Sequence, residues 1–179
     1  MTVQLDFSTL DLLDALDIAV MIEKEAEERY LLFADQIGQR YPGDAANFFA
    51  MMARNEQRHG AELSERRHSL FGDAPSRVTK DMIGSDIEAP EDGKAIRYMS
   101  PRHALEVAME SEIKAYEFYN SILPFIQDEA ARKLIESLRE EEVEHQRLLN
   151  EKKAGYADSL ESDFDPEIDA PKSFHIPES

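Results

Sequence analysis

The sequence has no cysteine and no tryptophan among its 179 residues, and only seven glycines. Without cysteine the chain can form neither a disulfide nor a thiolate metal site, and it has no catalytic thiol. It also lacks any run of about 18 apolar residues, the length that a membrane-spanning helix needs. The first ten residues have neither the basic nor the apolar region of a secretory signal, so we expect a cytoplasmic protein without a membrane span.

Acidic residues outnumber basic ones, with 38 Asp and Glu against 20 Lys and Arg and a net charge of −18. This charge disfavours nucleic acid and anionic membranes as partners, and it is compatible with metal cations. Glycine is scarce, helix-forming residues are abundant and alternating β-branched runs are absent. The composition therefore predicts an all-α protein.

Hydrophobic periodicity predicts four long helices. Ser8 and Asp11 resemble a capping box that would start the first of them. The expected ranges are about 8–40, 44–70, 101–124 and 128–153.

The lengths of the connections predict how these helices are arranged. The first and second helices are separated by only a few residues, as are the third and fourth, whereas the second and third are joined by a long segment over about 72–99. Short links make neighbouring helices antiparallel, and a long link can carry the chain from one end of a bundle to the other. We predict a ferritin-like antiparallel four-helix bundle over 1–154, made of two helical hairpins and one crossover. The acidic segment 155–179 is expected to be an extended or disordered tail.

The two halves of the chain repeat each other. Residues 15–30 align with 104–119, and the second helix of each half aligns as well. Such repetition predicts a pseudo-two-fold bundle with a shared site on its axis. The identical pairs are Ala15/Ala104, Leu16/Leu105, Ala19/Ala108, Glu23/Glu112, Ala26/Ala115, Glu28/Glu117, Tyr30/Tyr119, Glu56/Glu142, His59/His145 and Leu63/Leu149.

Each predicted helix has an apolar face that a glutamate interrupts near its middle, and in two helices a histidine follows three residues later. Positions three, four and seven apart share a helix face, so these side chains should converge inside the bundle. They are Glu23, Glu56, His59, Glu112, Glu142 and His145.

Four buried carboxylates in contact would repel one another, and burying them unpaired would cost many kcal/mol. Two divalent cations would neutralise them, with neutral imidazoles completing the ligand set. This inventory is that of dimetal carboxylate bundles, and its ligands suit iron or manganese better than copper or calcium. We therefore predict two iron ions per bundle, with manganese possible. The alternative is a buried polar network without metal.

Several other polar residues compete for a role. Glu65 and His68 form a third Glu-x-x-His pair, but Glu65 is half a turn out of phase with Glu56 and should face solvent. Glu110 is the alternative carboxylate on the third helix and is expected beside the ligands. Tyr30 and Tyr119 are either core aromatics or hydrogen-bond donors to a ligand of the opposite helix.

The motifs together resemble the rubrerythrin-like branch of the ferritin superfamily, over about 10–153. They are Glu23-x-x-Ala-x-x-x-Tyr30, Glu56-x-x-His59, Glu112-x-x-Ala-x-x-x-Tyr119 and Glu142-x-x-His145. The resemblance implies a diiron bundle that reacts with peroxide or dioxygen, with the four glutamates and two histidines of these motifs as iron ligands. Rubrerythrins proper also carry a cysteine-rich rubredoxin domain, which a cysteine-free chain cannot have. They have a further carboxylate on the third helix, where this chain has Ala115 or, nearby, Glu110.

We therefore predict an oxidoreductase of ferroxidase or peroxidase type that oxidises Fe(II) with peroxide or dioxygen, in iron handling or peroxide defence. A peroxidase would need an external electron donor. A homodimer is expected, because the chain lacks an obvious short fifth helix of the kind that ferritin cages use. The alternatives are a non-enzymatic metal-binding or interaction module and a dimanganese catalase-like enzyme.

Overall fold

The structure is a computed structural model that describes residues 5–40, 43–83 and 100–156. Within these ranges the regular structure is helical, as predicted, and the long helices form the expected bundle. None of the described helices combines the length and the apolarity that a membrane crossing requires. The helices are α1 (Leu12–Arg40), α2 (Asp44–Phe71), α3 (Lys80–Ile83), α4 (Pro101–Ile122) and α5 (Glu129–Ala154).

The predicted start of α1 was wrong by about one turn. Ser8 lies in a short 3-10 helix, Phe7–Thr9, and the backbone at Leu10 is extended, so the first turn cannot continue into α1. The capping box is made instead by two aspartates. Asp11 accepts a hydrogen bond from the backbone N–H of Asp14 at 3.1 Å, and the Asp14 carboxylate lies 3.5 Å from the N–H of Asp11.

The apolar core is divided into two clusters, one at each end of the bundle. One cluster joins the N-terminal half of α1 to the C-terminal half of α4 and the N-terminal half of α5. The other joins the C-terminal half of α1 to the N-terminal halves of α2 and α4. Because opposite halves of α1 and α4 meet in each cluster, these two helices are antiparallel. This agrees with the predicted bundle of two helical hairpins. Between the clusters lies a layer of buried polar side chains.

The described part of the crossover is bound to α1 and α2 by charged side chains. Arg67 of α2 donates to Asp17 at 2.8 Å and to the carbonyl oxygen of Gly72 at 2.9 Å. Arg77 donates to the buried Asp14 at 3.0 and 2.9 Å, and Lys80 pairs with Glu25. The sequence did not predict the short α3. Residues 84–99 of the predicted crossover and 157–179 of the predicted tail lie outside the described residues.

Candidate metal centre

The polar layer contains the six residues that the helical phase predicted. Five of them are buried, with residue exposures between 0 and 6%, and the sixth, His59, is partly exposed. The four long helices all contribute, because each places its central glutamate on the face that packs inward. The residues are Glu23 of α1, Glu56 and His59 of α2, Glu112 of α4, and Glu142 and His145 of α5.

Glu56 lies between the two imidazoles. Its Oε2 is 3.8 Å from Nδ1 of His59, and its Oε1 is 3.6 Å from Nε2 of His145. The two rings are nearly parallel, with an interplanar angle of 8° and centroids 6.0 Å apart. A single carboxylate therefore lies within 4 Å of one ring nitrogen of each histidine.

The remaining carboxylates divide between the two histidines. Glu23 Oε2 lies 3.9 Å from His59 Nδ1. Glu112 Oε2 and Glu142 Oε2 lie 3.4 and 3.6 Å from His145 Nδ1. The site therefore has two halves, which share Glu56.

Three groups of ligand atoms are spaced closely enough to hold a metal ion. In each group the carboxylate and imidazole atoms lie within 4.8 Å of one another. Ligands at about 2.0–2.2 Å from one ion are at most about 4.4 Å apart, so small side-chain rotations would bring each group onto an ion. The groups are Glu56/His59/His145, Glu23/His59/Glu141 and Glu112/Glu142/His145.

Several atoms in the layer are buried but lack a hydrogen bond to any other described residue. They include Glu56 Oε1, Glu112 Oε2, and Nδ1 of His59 and His145. Buried polar atoms in native proteins nearly always have a partner. Oxygen and imidazole donors without thiolate suit iron or manganese, so the residues present fit a pair of such ions.

Arg29 is a buried member of the site that the sequence analysis missed. It is 4% exposed, and it donates to Glu112 Oε1 at 2.9 Å. The Tyr30 hydroxyl donates to the same oxygen, and the Arg29 guanidinium lies 4.6 Å from the Tyr30 ring centroid. Two donors thus hold one oxygen of Glu112 while the other faces His145. The helical phase did indicate that Arg29 faces inward, because it lies three residues after the buried Ala26.

Glu141 is the second residue that the analysis did not assign. It is partly exposed, yet its Oε2 is 3.7 Å from His59 Nδ1, closer than either Glu23 or Glu56. Tyr119, the repeat partner of Tyr30, is fully buried and belongs to the apolar cluster that contains Ile135. Glu110 is exposed on α4. Their predicted support of the ligands stays a prediction.

Burial and charge shift the pKa values of the side chains in this layer in different directions. Burial raises the pKa of Glu56 well above its usual range and lowers the pKa of His59. Burial also raises the pKa of Glu112, but the close approach of His145 and Glu142 and the charge of Arg29 outweigh it, so the pKa is lowered to about 2. Burial lowers the pKa of His145, but the close approach of Glu112 and Glu142 raises it to about 12.

The charge on His145 predicts that the thermal stability of the metal-free protein and that of the metal-loaded protein depend on pH in opposite directions. The stability that this cation contributes is present below pH 6.5 and is lost as the pH rises towards about 12. Metal binding requires the neutral imidazole, so rising pH strengthens it. From pH 6.5 upwards, we expect the melting temperature to fall in EDTA and to rise with Co²⁺ present. His145→Gln should flatten the first profile, and parallel profiles in the two states would contradict this assignment.

Three comparisons relate the chain to known proteins. A family model described as Rubrerythrin matches residues 14–153. An uncharacterised conserved protein from Magnetospirillum magnetotacticum has a similar structure, with a TM-score of 0.67 and 26% identity over 83% of this chain and 97% of that one. A hypothetical protein from Pyrococcus furiosus shares the fold, with a TM-score of 0.51 and 20% identity over 81% and 89% of the two chains. Curated proteins gave no match.

Proposed function

Because the chain belongs to the rubrerythrin family, we propose that it binds two iron ions in the polar layer and oxidises Fe(II) with peroxide or dioxygen. One ion would be held by Glu23 and His59, and the other by Glu112, Glu142 and His145. Glu56 would supply a further carboxylate ligand between the two halves, because its oxygens face Nδ1 of His59 and Nε2 of His145.

The observation that carries the proposal is the convergence of four buried glutamates and two histidines in one layer. Arg29 pairs with one of the four carboxylates in this layer, and divalent ions would neutralise the charge that the carboxylates carry when ionised. Hydrogen bonds within the described residues leave Glu56 Oε1 and Glu112 Oε2 unsatisfied. In a bundle stabilised by packing alone, apolar residues at these positions would give greater stability.

When bound, two ferrous ions supply two electrons, which with two protons reduce one hydrogen peroxide to two water molecules. The protein residues orient the ligands and exclude water. Arg29 and Tyr30 fix one oxygen of Glu112, and the apolar clusters on either side restrict access by solvent. The pKa of His145 is raised to about 12, so this imidazole holds a proton that it would release on binding metal.

A stopped-flow experiment tests this function. Metal-free protein is loaded anaerobically with two equivalents of Fe(II) and mixed with hydrogen peroxide or with dioxygen, and near-ultraviolet absorbance is followed. We expect two Fe(III) for each peroxide consumed, formed faster than in buffer. The preferred oxidant separates a peroxidase from a ferroxidase, and re-reduction would require an external donor. Binding without faster oxidation would favour a non-enzymatic metal-binding module, and oxygen evolution with Mn(II) would favour a catalase-like enzyme. Either result would contradict the proposal.

A further inference from the structure

We propose that Glu141 is a seventh metal ligand, placed at the open end of the site, through which divalent iron reaches His59. This inference rests on the proposed dimetal function and adds to it a route of entry. The closed end of the site is the half formed by Glu112, Glu142 and His145.

The position of Glu141 on α5 explains how it reaches His59. Residues 141 and 142 are adjacent, so their side chains diverge by about 100° around the helix. Glu142 is buried beside His145, whereas Glu141 reaches the edge of the layer, where its Oε2 lies 3.7 Å from His59 Nδ1. Glu23, His59 and Glu141 bring their ligand atoms within 4.8 Å of one another. Glu56, which is 1% exposed, lies deeper in the polar layer.

The two halves of the site differ in their access to solvent. The His59 side chain is 20% exposed and that of Glu141 is 40% exposed. In the other half the side chains of Glu112 and His145 are 0% and 7% exposed. A metal ion arriving from solvent therefore meets Glu141 and His59 before it meets His145.

A cleft between α2 and α5 opens onto this end. It has a volume of about 190 Å³, and His59, Glu62 and Glu141 line it together with Leu63 and Leu138. The cleft admits water-sized molecules. Glu62 and Glu141 make it attractive to cations, and among the described residues that line it the cationic one is exposed Arg66. A carboxylate at the inner end can exchange water ligands of an incoming ion for its own oxygen before His59 binds the ion.

Anaerobic Co²⁺ binding, followed by visible absorbance at equilibrium and in stopped flow, tests this role. Glu141→Gln removes the charge and keeps the shape, and Glu140→Gln is the matched control at an exposed neighbour on the same helix. We expect two Co²⁺ per chain in the wild-type protein. In Glu141→Gln, we expect one of the two ions to bind about tenfold more weakly and about tenfold more slowly. Glu140→Gln should match the wild type.

The outcomes separate this inference from the function on which it rests. If the wild-type protein binds two Co²⁺ and Glu141→Gln binds them with unchanged affinity and rate, Glu141 is not a ligand and the dimetal function stands. If Glu140→Gln slows binding equally, the effect is one of overall charge and the inference also fails. If the wild-type protein does not bind two ions, the proposed function itself is wrong.

Discussion

Replacing Glu56 by alanine is expected to abolish fast oxidation of Fe(II), with a rate loss of at least about 100-fold. Residues that only support a ligand typically cost 10–100-fold when removed, and Glu56 is proposed as a ligand itself. Its oxygens lie 3.8 Å from Nδ1 of His59 and 3.6 Å from Nε2 of His145, so it lies between the two halves of the site. Loss of Glu56 should therefore weaken metal binding in both halves.

The chain provides a matched control for this variant. Glu65 and His68 form another Glu-x-x-His pair on α2, but both residues are exposed. Glu65→Ala makes the same chemical change on the same helix and should leave oxidation of Fe(II) at the wild-type rate. Stopped-flow absorbance under anaerobic loading measures both variants. Equal rates for Glu56→Ala and the wild-type protein would contradict the role of Glu56.

Replacing Arg29 by methionine is expected to destabilise the metal-free protein by about 3 kcal/mol, because removing one partner of a buried ion pair leaves the other uncompensated. Arg29 and Glu112 are both buried, with side-chain exposures of 2% and 0% and a separation of 2.9 Å. For a chain of this size the loss corresponds to a fall in melting temperature of roughly 10 °C. In the metal-loaded protein the loss should be smaller, since the ions also neutralise Glu112.

Urea unfolding with EDTA and with Co²⁺ measures this difference between the two states. Arg54→Met is the control, because Arg54 is an exposed arginine on α2 and its loss should change the free energy of unfolding by less than about 0.5 kcal/mol. If Arg29→Met lowers the free energy of unfolding equally with and without metal, Arg29 stabilises the bundle without acting on a metal ligand.

Much of the fold was predictable because the helical period and the positions of the glutamates indicate the same inward face on each long helix. The period identified the inward face of each long helix, and the convergence of glutamates on those faces identified the polar layer. The repeat between the halves separated Glu112 from the nearby Glu110, which the structure leaves exposed.

The residues missed by the sequence analysis depend on tertiary contacts. Arg29 is in phase with the core, but its role comes from Glu112, 83 positions away in the chain. Glu141 lies at the edge of the inward face, and only the packing of α2 against α5 brings it to His59. The start of α1 was missed for a local reason, since two overlapping sets of polar residues could each cap a helix there.

The most direct test of the dimetal site is anomalous diffraction at the iron edge from crystals loaded anaerobically with Fe(II). The proposed ligands predict two iron peaks per chain in the polar layer, one beside His59 and one beside His145, with Glu56 between the two histidines. A single peak, or none between the two apolar clusters, would contradict the central claim.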